Sequence, residues 1–360
     1  MISLRRLNWI LVTVSVLLLA GCGANSELPV SAGTGPDPAL PEVRDSLLPL
    51  VHVAPVERWK AGEKPVAAPG LEVSRYADKL DHPRWLYVLP NGDVLVAETN
   101  AQPKKPKGLI GRIEKLVMKR AGAGVPSADR ITLLRDSAGD GEVDVRSVFL
   151  SDLKSPFGMC LVGDRFYVAN TNAVVSFPYV SGATRISEPG KTLVALPAGD
   201  NNRHWTKGLI ASQDGRYLYA AIGSNSDHAE NGIEEEEGRA AIWRIDISSG
   251  DHTVFASGLR NPVGMAFEPV TGMLWTAVNE RDDLGGDLVP DYMTSVREGG
   301  FYGWPYSYFG DNLDPRVREQ RPDLVAKALV PDYALGSHTA SLGLAFASGQ
   351  RLGPTWGPGA

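Results

Sequence analysis

Trp85-Leu86-Tyr87-Val88-Leu89-Pro90-Asn91-Gly92-Asp93-Val94-Leu95-Val96-Ala97-Glu98 is a pair of apolar runs around a tight polar turn. Asn-Gly between such runs marks a β-hairpin, because both central residues of the favoured two-residue turn need positive φ. The figure recurs down the chain. Gly158-Met159-Cys160-Leu161-Val162 turns at Gly163-Asp164 into Phe166–Asn170. Gly208-Leu209-Ile210-Ala211 turns at Asp214-Gly215 into Tyr217–Ala221, and Gly264-Met265-Ala266-Phe267 turns at Thr271-Gly272 into Met273–Ala277. A fifth copy begins at Gly343-Leu344-Ala345-Phe346. The leading glycines stand roughly 50–80 residues apart, the spacing of four-stranded blades with loop insertions, so the chain reads as an all-β propeller. Runs such as Ala241–Asp246 and Val254–Ala256 supply the outer strands each blade needs. A β-sandwich with similar hairpins is the competing architecture, and the repeated leading glycine argues against it.

The ends read differently. Arg5 and Arg6 precede an apolar run from Trp9 to Leu19 that closes on Leu19-Ala20-Gly21-Cys22. A basic start, a short apolar core and small residues before a cleavage point make a secretory signal, and the run is short for a membrane span. Leu-Ala-Gly-Cys resembles the bacterial lipobox. Residues 1–22 are therefore expected to be a lipoprotein signal, with Cys22 acylated and the protein held at the periplasmic face. Gly23 in place of an aspartate points to the outer membrane. Residues 23–55, rich in Pro, Gly, Ser and Ala, read as a flexible tether, and 56–350 as the propeller. The tail 351–360 has no strand pattern, and a ring that does not close leaves an unpaired blade edge, so an incomplete last blade is expected. Cys160, the second of two cysteines, has no disulfide partner once Cys22 is lipidated and is expected as a buried thiol. The net charge of −6 is unclustered apart from Glu234–Glu237, which reads as a solvated loop; nothing favours nucleic acid.

Four clusters carry chemistry. His204, in Asn202-Arg203-His204-Trp205-Thr206-Lys207-Gly208, stands directly before an inner hairpin, where a propeller opens onto its channel and an imidazole can take a proton. A lone histidine there is more often structural. Arg260 and Asn261, in Gly258-Leu259-Arg260-Asn261-Pro262-Val263-Gly264, hold the same place one hairpin later, and the guanidinium fork suits a carboxylate. The alternative is a surface arginine. Asn279-Glu280-Arg281-Asp282-Asp283, Asp287 and Asp291 gather hard oxygen ligands in one loop, suited to calcium or to solvation alone. Asp136-Ser137-Ala138-Gly139-Asp140-Gly141-Glu142-Val143-Asp144 resembles a calcium loop through Asp136 and Asp140. Ala138 and Ser147 depart from that pattern, and an Asp-Gly turn needs no metal.

In this order the motifs His204-Trp205-Thr206, Gly258–Phe267, Asn279–Asp282, Pro290-Asp291-Tyr292 and Gly299-Gly300-Phe301-Tyr302-Gly303-Trp304-Pro305 resemble the soluble sugar dehydrogenases that use pyrroloquinoline quinone, most of all the sorbosone dehydrogenase branch. The resemblance covers about residues 70–350. It implies a six-bladed propeller with the quinone over the channel mouth, and oxidation of an aldose or related sugar aldehyde by hydride transfer to it. It implies His204 as the general base, and Arg260, Asn261, Lys207 and Arg281 as cofactor contacts. Glu280, Asp282, Asp287 and Asp291 would bear calcium, with Asp136 and Asp140 as a second candidate. Tyr302 and Trp304 read as packing residues. Val263 replaces a polar residue of the glucose-oxidising members, which argues against glucose. The family continues with a further hairpin and a Lys/Arg-rich segment, so a chain lacking them puts cofactor binding in doubt. The electron acceptor is not named by the sequence; no glycine-rich dinucleotide fingerprint is present. Two other functions compete: a calcium-dependent lactonase on a similar propeller, and a non-catalytic lipoprotein. The Arg260-Asn261-Pro262 motif favours the dehydrogenase.

Overall fold

The Asn91-Gly92, Gly163, Asp214-Gly215 and Thr271-Gly272 turns each close a hairpin, with the glycines at positive φ. The computed structural model describes residues 26–44, 56, 57, 59, 60, 62–103, 124–199, 201–347 and 359. The expected signal with Cys22, and the tail apart from Gly359, lie outside the described residues.

Four blades follow one another in sequence. The first is an antiparallel meander of β2 (Pro83–Val88), β3 (Val94–Glu98), β4 (Arg130–Arg135) and β5 (Val145–Leu150). The second is β6 (Met159–Val162), β7 (Arg165–Asn170), β8 (Ala173–Pro178) and β9 (Lys191–Ala195). In the third, β10 (Lys207–Ala211), β11 (Tyr217–Ile222), β12 (Ala241–Asp246) and β13 (His252–Ser257) are extended by the parallel β17 (Gly300–Phe301). In the fourth, β14 (Asn261–Phe267), β15 (Leu274–Asn279) and β16 (Pro290–Ser295) are joined by β20 (Tyr333–Ser337) and β1 (Thr34–Gly35). Between them β18 (Ser307–Tyr308) and β19 (Asn312–Leu313) form a small separate hairpin.

The strands are apolar on both faces because each blade packs face to face against the next. On β11, Leu218, Ala220 and Ile222 are fully buried toward the second blade, while Ala221 belongs to the core shared with the fourth. The three apolar clusters are the three junctions between four blades. Leu95, Ile131 and Leu133 meet Phe166 and Phe177; Tyr167 and Val174 meet Leu218 and Ile245; Ala221 and Ile242 meet Met265 and Val278. Each buried Val, Leu, Ile, Phe or Met among them stabilises the fold by roughly 1.5–3 kcal/mol. Cys160 lies buried in the second junction, and burial pushes its thiol far above the ordinary range.

The leading glycines have a common cause. A Cβ on Gly158 would stand 2.3 Å from Leu209 N, one on Gly208 2.4 Å from Val263 O, and one on Gly264 2.4 Å from Leu344 N. Successive inner strands approach backbone to backbone around the axis, and no larger residue fits. The stretch 341–347, expected to open a fifth hairpin, forms no strand, yet it takes beside β14 the place that β14 takes beside β10. The described residues thus hold four blades. On β2 Leu86 and Val88 stand exposed, unlike the buried starts of the other inner strands.

Residues 26–44 correct the expected tether. β1 pairs with β20, Leu40 and Val43 pack on the third core cluster, and Arg44 N donates to Leu284 O at 3.0 Å. Asp287 accepts hydrogen bonds from Ser26 Oγ and from the N–H groups of Glu27 and Leu28. Composition alone suggested flexibility; docking onto the fourth blade overrides it.

Candidate active site where the inner strands begin

Every inner strand starts at the same end of the molecule, and alternate loops return there. This topology gathers the residues before β10 and β14, the β11–β12 connection, the β15–β16 connection and residues 338–341. The β4–β5 turn, with Asp136 and Asp140, falls at the opposite end.

His204 arrives just before β10 on a fixed segment. Thr171 Oγ1 donates to Trp205 O at 2.9 Å, Asn202 Nδ2 donates to Thr171 Oγ1, and Arg239 holds Asn202 Oδ1. The imidazole is half-buried, and its Nδ1–H donates to Ser224 O at 2.8 Å. That bond fixes the tautomer and leaves Nε2 with a bare lone pair. Burial, and then the positive charge of Arg260, hold the imidazole's pKa well below its usual value, so it stays neutral. Asn261, from the next blade, closes on it across Gly223. A Cβ there would lie 2.3 Å from Asn261 Oδ1 and 2.5 Å from His204 Cβ. Asn261 Oδ1 is buried without a hydrogen-bond partner.

Arg260 lies beside this pair, fully engaged. Its Nη2 donates to Asp227 Oδ1 at 2.6 Å, Nε to Asp227 O, and Nη1 to the carbonyls of Asn279 and Glu280. Asp227 is the hub. It also accepts from Asp282 N at 3.1 Å and from Arg316 Nη1 at 3.3 Å, and its carbonyl accepts the Trp304 indole N–H at 2.8 Å. Burial pushes the Asp227 carboxyl up, but His228, Arg260, the Asp282 N–H and Arg316 outweigh it and hold it far below the usual range. Asp282 reaches out from the hub, with Arg203 Nη2 at 3.9 Å and His338 Nδ1 at 3.4 Å.

The guanidinium and imidazole expected to converge therefore do so, from adjacent blades, with Asp282 beside them. Other expectations need correction. Arg281 does not face a ligand: its side chain is completely buried, donating to Glu280, to the carbonyls of Pro305 and Ser307 and to Asp314, under the ring of Tyr308. It ties the acidic loop to the β18–β19 hairpin. Lys207 is equally buried; its Nζ donates to His204 O at 3.1 Å, and burial lowers its pKa to about 7. It supports the His204 backbone from behind.

The carboxylates do not form one cage, and among the described residues no group of three His, Cys, Asp or Glu side chains could hold a metal ion. Asp136 closes its own turn on the N–H groups of Gly139, Asp140 and Gly141, and Asp140 accepts from Glu142 N. Asp287 holds the N-terminal segment. Asp291 accepts from the N–H groups of Glu280 and Ser341 and from Thr339 Oγ1. Glu280 keeps one buried oxygen without a partner, and burial raises its pKa.

Sequence reading missed Asp227, Arg203, Arg316 and His338. One signal was available: Ser224-Asn225-Ser226-Asp227 is a polar run straight after an apolar strand, and all four residues are buried. Glu236, read as part of a solvated run, is buried too and accepts from Asn225 N and Ser226 Oγ. Trp304 packs, as expected, but its N–H also reaches the hub; Tyr302 packs and donates to Ser295 O.

Comparison with known proteins places this geometry. The family described as TrAA12-like matches residues 65–293. The aldose sugar dehydrogenase YliI of Escherichia coli is 27% identical over 173 residues, 48% of this chain and 42% of that protein. A pyrroloquinoline quinone-dependent sugar dehydrogenase of Hypocrea jecorina is 24% identical over 271 residues, 68% of this chain and 57% of that protein. The chain thus spans about half the length of these curated relatives. Among solved structures, the calcium structure of a Trichoderma reesei family AA12 enzyme superposes with a TM-score of 0.61 at 19% identity, over 78% of this chain and 74% of that one. The holo pyranose dehydrogenase PQQ domain of Coprinopsis cinerea gives 0.59 at 19% identity, over 76% and 70%. At such identity these two likenesses speak to the fold.

Proposed function

The chain belongs to the TrAA12-like family, that of the pyrroloquinoline quinone-dependent sugar dehydrogenases, and from this premise we propose that it oxidises an aldose or related sugar aldehyde with that quinone as electron acceptor. The observation that carries the proposal is His204. Its Nδ1–H is tied to the Ser224 carbonyl, its Nε2 is bare, and burial, with the positive charge of Arg260, keeps it neutral. That is the form a general base needs to take the proton from a sugar hydroxyl.

The residues present fit a polar, carboxylate-bearing ligand. Asn261 Oδ1 lacks a donor, Gly223 keeps the floor free of a side chain, and Arg203 stands half-exposed beside the base. His204, Asn261 and Arg203 are the residues that would hold quinone and sugar. When bound, the quinone supplies a two-electron acceptor for the hydride leaving the sugar carbon. The chain's own work is to orient the hydroxyl, accept its proton at His204 Nε2 and hold that imidazole through Ser224. Among the described residues no three carboxylates gather as ligands, so no step is assigned to calcium. The sorbosone-type branch, the six-bladed ring and the lipid anchor at Cys22 on the periplasmic face of the outer membrane belong to the same reading; the motifs quoted above support them.

The test is dye reduction by the full chain in detergent with pyrroloquinoline quinone and a panel of aldoses. Reduction that disappears in His204→Gln is expected. Lactone hydrolysis without quinone, or unchanged reduction in His204→Gln, would overturn the proposal.

A further inference from the structure

Arg203 differs from the other arginines of the site. Arg260 and Arg316 have side chains 4% and 11% exposed and engage carboxylates at 2.6 and 2.8 Å. Arg203 is 44% exposed, and its three acidic neighbours stand further off: Glu230 at 3.4 Å, Asp282 at 3.9 Å and Asp227 at 4.0 Å. A charge-assisted guanidinium–carboxylate bond is about 2.7–2.9 Å long, so none of these is a full partner. The reason lies in their other commitments. Asp227 already serves Arg260 and Arg316; Glu230 accepts the N–H groups of Asp227 and His228; Asp282 faces His338. Half-exposed pairs of this length are each worth about 0–1 kcal/mol, so an incoming anion displaces them cheaply. Arg203 also adjoins His204 in the chain, on the same fixed segment.

We propose that Arg203 is the anchoring cation for a carboxylate on the ligand that lies against His204. The inference rests on the function proposed above. There the carboxylate has two sources: the quinone, or the acid group of an oxidised sugar such as a uronic acid. In both cases a bidentate fork beside the base fixes the ligand's register over the imidazole.

The experiment is equilibrium titration with pyrroloquinoline quinone, followed by quenching of tryptophan fluorescence, in the wild type, Arg203→Gln and Arg203→Lys. A Kd raised at least tenfold in Arg203→Gln and partly restored in Arg203→Lys, at unchanged melting temperature, identifies the quinone as the source. An unchanged Kd with KM raised tenfold for glucuronate, but not for glucose or xylose, identifies the substrate. No change in either overturns the proposal. If the wild type binds no quinone, the dehydrogenase reading itself fails. Calorimetric titration with glucuronate alone then decides Arg203, and equal binding by wild type and Arg203→Gln overturns its role.

Discussion

Asp227→Asn is the substitution that most directly separates a built site from an incidental cluster of charges. The carboxylate is 7% exposed and lies against guanidiniums at 2.6 and 3.3 Å. Two unit charges about 4 Å apart attract by roughly 4 kcal/mol at an effective dielectric near 20. The amide keeps one acceptor, so its Oδ1 still receives Arg260, but Arg260 and Arg316 lose their shared counter-charge. Breaking a buried pair on one side costs about 3–5 kcal/mol, and the retained acceptor puts Asp227→Asn at the lower end, about 3 kcal/mol. Urea unfolding, followed by tryptophan fluorescence, to which Trp304, bonded through its N–H to Asp227 O, contributes, measures the loss. The folded carboxyl is held far below its unfolded value, so its contribution is complete above about pH 5 and shrinks as pH falls below about 4. Wild type and variant should therefore converge in acid. Arg260→Met made in the Asp227→Asn background should recover part of the loss, a coupling above about 1 kcal/mol. A loss under about 1 kcal/mol at pH 7, the value of a surface pair, would refute the reasoning.

Other outcomes follow from the same geometry. Gly208→Ala places a methyl 2.4 Å from Val263 O and should destabilise by about 1–3 kcal/mol in urea; an unchanged midpoint contradicts backbone contact between the third and fourth blades. With the His204 pKa depressed by burial and Arg260, the acid limb of kcat/KM should lie below the ordinary histidine value of about 6.5, and an inflection at or above it counts against His204 as the base. Asp136→Ala with Asp140→Ala should leave quinone affinity unchanged, because that turn is at the far end; a tenfold change would contradict the topology. Asp287→Asn removes the charge that gathers Ser26, Glu27 and Leu28, and limited proteolysis should then cut within residues 26–33 faster than in the wild type.

The sequence was legible where local rules decide. Asn-Gly and Asp-Gly turns set the hairpins, and a residue directly before an inner strand had to lie at the common end, which brings His204 and Arg260 to one end of the molecule. It was illegible where partners are remote. Arg260 and Arg281 both read as ligand contacts, yet one bonds Asp227 beside His204 and the other is locked into the β18–β19 hairpin by carbonyls at Pro305 and Ser307. Asp227 bonds Arg260, Asp282 and Arg316, far along the chain from it. Residues 26–44 have the composition of a linker, and only remote partners, β20, Leu284 and Asp287 among them, make them part of the fourth blade. Acidic residues that read as metal ligands turn out to accept backbone N–H groups, a role that leaves the same composition behind.

One steric condition underlies both the fold and the site. Gly208 lets β10 abut β14, which brings the start of the third blade against the start of the fourth. His204 belongs to the first of these starts and Asn261 to the second, and Gly223 removes the last side chain that would hold them apart. The Ser224 N–H then donates to Arg260 O at 2.7 Å, while the Ser224 carbonyl takes the His204 Nδ1–H. A single residue of the third blade is thus bonded both to the fourth blade and to the His204 imidazole. Movement of the fourth blade away from the third would break the Ser224 N–H to Arg260 O bond next to the carbonyl that holds His204. Substitutions at Gly208 or Gly223 should therefore impair proton abstraction at denaturant concentrations where the strands are still intact.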